Sequence, residues 1–345
     1  MQKKILVIKL GTAVITDNEG KVNRAVIKKI SEEIAALTKE YNVVLVSSGA
    51  VGSGKSFIKN YKGTLNERKA AAAVGNPVLI QLYHTHFYKH GITIAQALCE
   101  RHHFSNRTQF LQLKETFDEF WKNDIIPVVN ENDLVSNIEL KFSDNDELAT
   151  LIAVGLFADT LIICTSVGGL RDFERNIIPF VPQVDDTILK FVTTEKSSTG
   201  LGGMVSKLTF TKLATSLGIR VIITGIGKDA SFEAALKGKC GSTFAAKKST
   251  LKARQKWLAS GSITLGSIRI DEGAAKALKQ RKSLLTVGVL SVDGDFSEQE
   301  AVQVIDNTGT IIAVAKSKLS ASDLKNSVKQ KNIIAAHADD IVILN

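Results

Sequence analysis

The sequence predicts an α/β protein: a three-layer α/β/α sandwich around a mainly parallel sheet, followed by a second, small β-barrel-like domain. Three observations carry this reading. The chain has 345 residues, more than one hydrophobic core usually organises, so two domains are expected. Over the first two-thirds, apolar runs of strand length alternate with stretches of helical period, the pattern of strands joined by crossover helices. After Gly238 the segments become short, β-rich and punctuated by turn signals. The expected boundaries are 1–240 for the first domain and 260–345 for the second, with 241–259 as the connection.

The elements follow in order. Apolar runs predict strands at Ile5 to Leu10, Val43 to Val46, Ile92 to Ala97, Ile125 to Val129, Thr160 to Cys164 and Arg220 to Thr224. Val26, Ile27, Ile30, Ile34 and Leu37 recur at three- and four-residue spacing, which predicts an amphipathic helix with Asn23 as its N-cap. Further helices fit Glu67 to His90, Ser105 to Asn123, Asn145 to Phe157 and Gly203 to Leu217. His102 and His103 fall in an expected surface loop. Behind the connection, SITLGSIRID, a short helix at Glu272 to Lys279, LLTVGVLSVDGDF, AVQVIDNTGTIIAVAK and DDIVIL predict the β-rich domain, with Asp293-Gly294 and the Asn307 to Gly309 stretch as turns.

Composition narrows the class. With 44% hydrophobic and 23% charged residues and only 4 prolines, the chain is neither disordered nor collagenous. No apolar run approaches the roughly 20 residues of a membrane helix. The start MQKKILVIKL reads as a first strand, and the protein as cytoplasmic with no membrane partner. Cys99, Cys164 and Cys240 are too few and scattered for a disulfide framework or zinc cluster, and no metal ligands are assigned. The net charge is +9; residues 241–345 hold 15 Lys/Arg against 10 Asp/Glu, leaving 29 against 25 for residues 1–240. Solvated helix faces account for the basic clusters Lys247 to Lys256 and Lys276 to Lys282 better than a nucleic-acid site does.

Ligands of open α/β sheets bind beyond the carboxyl ends of the strands. Here those ends carry IKLGTAV, with Lys9 in the strand and Gly11 at the turn, then VSSGAVGSGKS, PVVNENDLV, FSDNDEL and CTSVGGL; a last loop, STGLGGMVSKL, leads into a helix bearing Lys207. Glycine-rich turns that open helices present N–H groups to phosphate oxygens. Two lysines beside several such turns suggest phosphoryl transfer, in which catalysis is mostly positioning and charge neutralisation.

Gly49 to Ser56 reads GAVGSGKS, a full match to the P-loop pattern. Its context argues against that assignment: SFIKNYKG reaches Gly63 within two turns, too short for the robust helix a P-loop opens. The segment is expected to be a glycine-rich substrate loop with an incidental Lys55.

VIKLGTAV, LVSSGAVGSGK, KAAAAVGN, PVVNENDLV, FSDNDEL and GLGGMVSK, in this order and spacing, resemble the glutamate 5-kinases of the amino acid kinase family. The tail, with RIDEGAAKAL, SLL, GV and V-x-G-x-F, resembles a PUA domain. The resemblance implies ATP-dependent phosphorylation of the γ-carboxylate of L-glutamate, the first step toward proline. It implies that Lys9 contacts the moving phosphoryl group, Lys207 neutralises the β/γ oxygens and Asp146 holds both lysines. Ser48, Asn130, Asp133 and Asn145 match the glutamate-binding positions. Thr165 and Ser166 match the nucleotide strand end. Lys9 and Gly11 match the first phosphate turn, and Gly200, Leu201, Gly202, Gly203, Met204 and Lys207 the phosphate loop. The implied cofactor is Mg-ATP, with Mg²⁺ held mainly by nucleotide and water. The implied assembly is a homo-oligomer, with proline as a candidate feedback inhibitor.

The chain departs from the family pattern at Ala13, Ser143, Ser166 and Leu201, where Ser, Gly, Asp and Thr are usual, and DFERNIIPF lacks an Asp-Pro-Arg stretch. These changes bear on the nucleotide more than on phosphoryl transfer, because Lys9, Asp146 and Lys207 all remain. Two alternatives stay open: another amino acid kinase or weakened paralogue acting on a different carboxylate, and an RNA-binding protein working through the basic PUA-like domain.

Overall fold

The computed structural model describes residues 3–343 apart from 18, 106, 135–143, 194–200, 228–229, 248–265 and 299. The chain divides into two compact units, Met1–Glu100 with Leu111–Ser249, and Arg101–Phe110 with Thr250–Asn345.

The first unit is built on eight strands: β1 (Lys4–Leu10), β2 (Tyr41–Ser47), β3 (Thr93–Cys99), β4 (Ile125–Glu131), β5 (Thr160–Cys164), β6 (Phe180–Val181), β7 (Arg220–Thr224) and β8 (Ser242–Phe244). They form one sheet in the order β3-β4-β2-β1-β5-β7-β8-β6, parallel in every pairing except β7 with β8. β1 therefore lies in the middle of the parallel part, flanked by β2 and β5.

Helices α1 (Thr12–Ile15), α2 (Arg24–Leu37), α3 (Ala50–Gly54), α4 (Leu65–Phe87), α6 (Arg107–Lys122), α7 (Asn145–Leu156), α8 (Asp186–Thr193), α9 (Leu201–Ser216) and α10 (Phe232–Leu236) join these strands. His102 and His103, expected in a loop, instead open the short helix α5 (His102–Ser105). The apolar residues of α2 fall where their spacing demands, with Ile27, Ile30 and Ile34 fully buried. Asn23 caps that helix by accepting from the N–H groups of Ala25 and Val26.

Alternation along β1 decides what faces what. Leu6, Ile8 and Leu10 enter a core with Ile27, Ile30 and Ile34 of α2 and Leu79, Tyr83 and Phe87 of α4. Val7 and Lys9 take the opposite face, where α7 packs on β1 and β5 and α9 packs on α7 and β7. From Asp146 to Leu156 every residue of α7 is buried, as expected of a helix enclosed by its neighbours.

In the second unit, β9 (Gly266–Ile270), β11 (Val289–Gly294), β12 (Ala301–Ile305), β13 (Ile311–Lys316) and β15 (Ile341–Ile343) form a sheet in the order β11-β9-β12-β13-β15. β10 (Leu284–Leu285) pairs with β14 (Ile334–Ala336). Helices Glu272–Lys279 and Ala321–Asn326 contribute Leu278 and Leu324 to its core.

Candidate active site

The carboxyl ends of β1, β2, β4 and β5 converge with the N-terminus of α7 and the start of α9. Lys9 is the next-to-last residue of β1, and its side chain points to the α7 face, only 7% exposed. Asp146 stands in the first turn of α7, placed there by Asp144, whose Oδ1 accepts from the N–H groups of Asp146 and Glu147 at 2.9 and 3.1 Å. Asp146 Oδ1 lies 2.6 Å from Lys9 Nζ, and Oδ2 lies 3.0 Å from Lys207 Nζ on α9. One buried carboxylate thus aligns two ammonium groups from separate elements. Three charges with a net +1 are held at a strand end, an arrangement suited to an anionic ligand.

Both lysines line a cavity of about 300 Å³. Its other walls include Gly11 to Val14, Cys164 to Val167, Gly169 to Arg171, Phe191, Val192 and Met204. The expected nucleotide residues Gly11, Thr165, Ser166 and Met204 are therefore brought together around Lys9 and Lys207; Met204 forms wall. Leu201, Gly202 and Gly203 form the first turn of α9, and Gly200 and Ser143 lie outside the described residues. Two departures from the family pattern, Ala13 and Ser166, sit in the cavity wall. Cys164 also lines it, but burial, reinforced by Glu33, raises its thiol to about 12, so it is a neutral wall residue.

Sequence reasoning did not single out Phe191 and Val192. They belong to α8, whose signal was present: Asp185 Oδ1 accepts from the N–H groups of Thr187 and Ile188 ahead of an apolar stretch. Arg171, also missed, is held by its own loop, donating to the carbonyls of Val167 and Arg175.

A polar network adjoins the triad. Asn145 Nδ2 donates to Ser48 Oγ at 2.9 Å and to Asn130 Oδ1 at 3.2 Å. Asn130 Nδ2 donates to Asn76 Oδ1 at 3.1 Å, and its Oδ1 also accepts from Glu131 N–H at 2.9 Å. Three of the four expected substrate residues are thus hydrogen-bonded into one cluster; Asp133 follows two residues after β4, half-buried. Asn76, in the quoted KAAAAVGN segment, is a member that sequence reasoning did not assign. Beneath it, Ser47 Oγ and Tyr83 Oη share a buried hydrogen bond of 2.8 Å.

The P-loop-like segment takes a different shape from a P-loop. α3 is only five residues long and passes into a 3₁₀ turn at Lys55–Phe57. Gly49 caps α3 with φ of 100°, a left-handed conformation that favours glycine. Gly54 and Gly75 let α3 and α4 touch backbone to backbone: a Cβ at Gly54 would meet Ala71 O at 1.9 Å, and one at Gly75 would meet Ala50 O at 1.8 Å. Lys55 Nζ donates to the carbonyl of Glu19. The pattern's second glycine serves helix packing, and its lysine ties down a neighbouring turn.

Residues 4–225 match the amino acid kinase family, and residues 266–337 match the PUA domain. Glutamate 5-kinase of Bacillus mycoides (strain KBAB4) is 36% identical over 342 residues, covering 94% of this chain and 92% of that protein. Glutamate 5-kinase of Vibrio vulnificus (strain YJ016) is 35% identical over 353 residues, covering 99% of this chain and 91% of that protein. In fold, the carbamate kinase from Giardia lamblia bound to AMP-PNP aligns with a TM-score of 0.53 at 18% identity, covering 71% of this chain and 99% of that one. The chain belongs to the amino acid kinase family and carries a PUA domain behind its kinase fold.

Proposed function

We propose that the protein transfers the γ-phosphoryl group of Mg-ATP to the γ-carboxylate of L-glutamate, giving γ-glutamyl phosphate, the first step toward proline. The observation that carries this reading is the Lys9–Asp146–Lys207 triad between the 300 Å³ cavity and the Asn145 network. Full-length relatives named glutamate 5-kinase support it. The nucleotide occupies the cavity, with Thr165, Ser166 and Met204 in its walls and Leu201 to Gly203 at the phosphates; Mg²⁺ arrives with the nucleotide, held by its phosphates and water. Ser48, Asn130, Asp133 and Asn145 hold glutamate on the other side of Asp146, where amides and a carboxylate match its ammonium and carboxylate groups.

The chemistry asked of the protein is positioning and charge neutralisation. Two anionic partners, the γ-carboxylate and the triphosphate of ATP, repel each other and must be brought in line. Lys9 and Lys207 offset that repulsion, and charge developing on the transferring oxygens meets ammonium groups already oriented by Asp146. The kinase fold spans about 1–240 and the PUA domain 260–345. We further propose a cytoplasmic homo-oligomer with proline as feedback inhibitor, tested by gel filtration and by turnover with added proline. The reaction itself is tested by ATP consumption against a panel of amino acids. Turnover with L-glutamate well above every other amino acid supports the reading; preference for another carboxylate, or none, rejects it.

A further inference from the structure

Asp144 does more than cap α7. A cap needs one carboxylate oxygen, and Oδ1 fills that role with the N–H groups of Asp146 and Glu147. The other oxygen, Oδ2, accepts from Ser206 Oγ at 2.5 Å, a bond that crosses from α7 to α9. Ser206 directly precedes Lys207. Among the described residues, neighbouring positions join the two helices, Ser206 to Asp144 and Lys207 to Asp146.

The two links differ in what an incoming phosphate does to them. Lys207 faces the cavity, so an anionic ligand there competes with Asp146 for its ammonium group. The Ser206 hydroxyl is not among the cavity walls, and its bond to Asp144 has no such competitor. Once Lys207 turns toward phosphate, the Ser206 link still holds the start of α9 against the first turn of α7. That same turn carries Asn145, bonded to Ser48 and Asn130.

We propose that Ser206 is a positioning residue for phosphoryl transfer: its hydrogen bond to Asp144 sets the place of Lys207 relative to Asp146 and the Asn145 network. The inference rests on the kinase reading, and its test separates the two. Wild type, Ser206→Ala and Ser206→Thr are compared for kcat, for KM of glutamate and ATP, and for acetylation of the Lys207 amine by limiting acetic anhydride, read by peptide mass spectrometry. Losing a hydrogen bond to a charged partner should lower kcat about tenfold or more. KM for glutamate should change less than threefold, Lys207 should acetylate several-fold faster, and Ser206→Thr, which keeps the hydroxyl, should restore both readouts. A Ser206→Ala protein that merely melts earlier, with wild-type kcat and Lys207 labelling, overturns the proposal. If wild type itself lacks turnover, the kinase reading falls, and unchanged Lys207 labelling in Ser206→Ala still overturns the positioning role while faster labelling upholds it.

Discussion

Replacing Asp146 by Asn keeps the size of the side chain and removes the charge that two lysines share. Asp146 is 1% exposed, and the Lys9 and Lys207 side chains are 7% and 13% exposed, so water screens these pairs weakly. With an effective dielectric of about 20, contacts of 2.6 and 3.0 Å correspond to gross attractions of about 6 kcal/mol each. Desolvation offsets most of this, and breaking a buried pair by removing one partner typically costs about 3–5 kcal/mol. The amide can still accept from one lysine, but its NH₂ faces the other ammonium as donor to donor, so the lower end, about 3 kcal/mol, is expected in urea unfolding. The functional signature is more telling. Neutralisation takes the triad from +1 to +2, so binding of a non-hydrolysable ATP analogue, measured by calorimetry, should be retained or tightened. The lysines lose their shared anchor, and kcat should fall on the order of 100- to 1000-fold, as when a preorganised transition-state contact is removed. A folded Asp146→Asn protein with kcat within threefold of wild type, or one that loses nucleotide binding while keeping kcat, would refute the reasoning.

Four other outcomes are expected. Lys9→Ala should cut kcat on the order of 100-fold or more, whereas Lys55→Ala should leave it near normal, because Lys55 donates to the Glu19 carbonyl and is not among the residues lining the cavity; the reverse order would reinstate the P-loop assignment. Asn145→Ala should raise KM for glutamate about ten-fold or more with little change in KM for ATP, checked by initial rates at saturating co-substrate, and equal effects would misplace the network. Gly54→Ala should cost about 3 kcal/mol or more in chemical denaturation, since its Cβ would strike the Ala71 carbonyl at 1.9 Å; wild-type stability would contradict the close helix contact. Glu33 has its carboxyl raised above 4.5, by burial first, against the opposing pull of the Phe232 N–H and Lys29. The native state therefore holds that proton to higher pH than the unfolded chain. Its contribution is complete below about 4.5 and is lost as pH rises through the native value. Glu33→Gln should gain stability relative to wild type between pH 4 and pH 7, read from urea midpoints, and a constant difference would exclude the linkage.

Much of this was legible because period and chemistry agreed. Thr160–Cys164 and Arg220–Thr224 pair in parallel, are largely buried, and read as short apolar runs rich in β-branched residues. Helix Glu272–Lys279 begins at Asp271, whose side chain accepts from Ala274 N–H. Lys9 was conspicuous as a charge in an apolar strand before a glycine turn, and the structure gives it a buried partner. Short helices were harder to read. α1 and α3 span four and five residues, too short for periodicity to register, and α3 includes two glycines. Their stability comes from contacts such as Gly54 against Ala71, which join residues distant in sequence. The same reason hid Asn76: only the fold brings α4 to the end of β4. The antiparallel pairing of β8 with β7 likewise depends on a three-residue strand with little pattern of its own.

The central claim is that the Lys9–Asp146–Lys207 triad promotes transfer of the γ-phosphoryl group of ATP to the γ-carboxylate of glutamate. It is tested most directly by incubating the purified protein with Mg-ATP, L-glutamate and hydroxylamine and measuring γ-glutamyl hydroxamate, with Lys207→Ala as the blank. The account predicts hydroxamate that depends on both ATP and glutamate and falls at least about 100-fold in the blank. Hydroxamate no greater than in the Lys207→Ala protein, from a folded wild type that binds ATP, would contradict it.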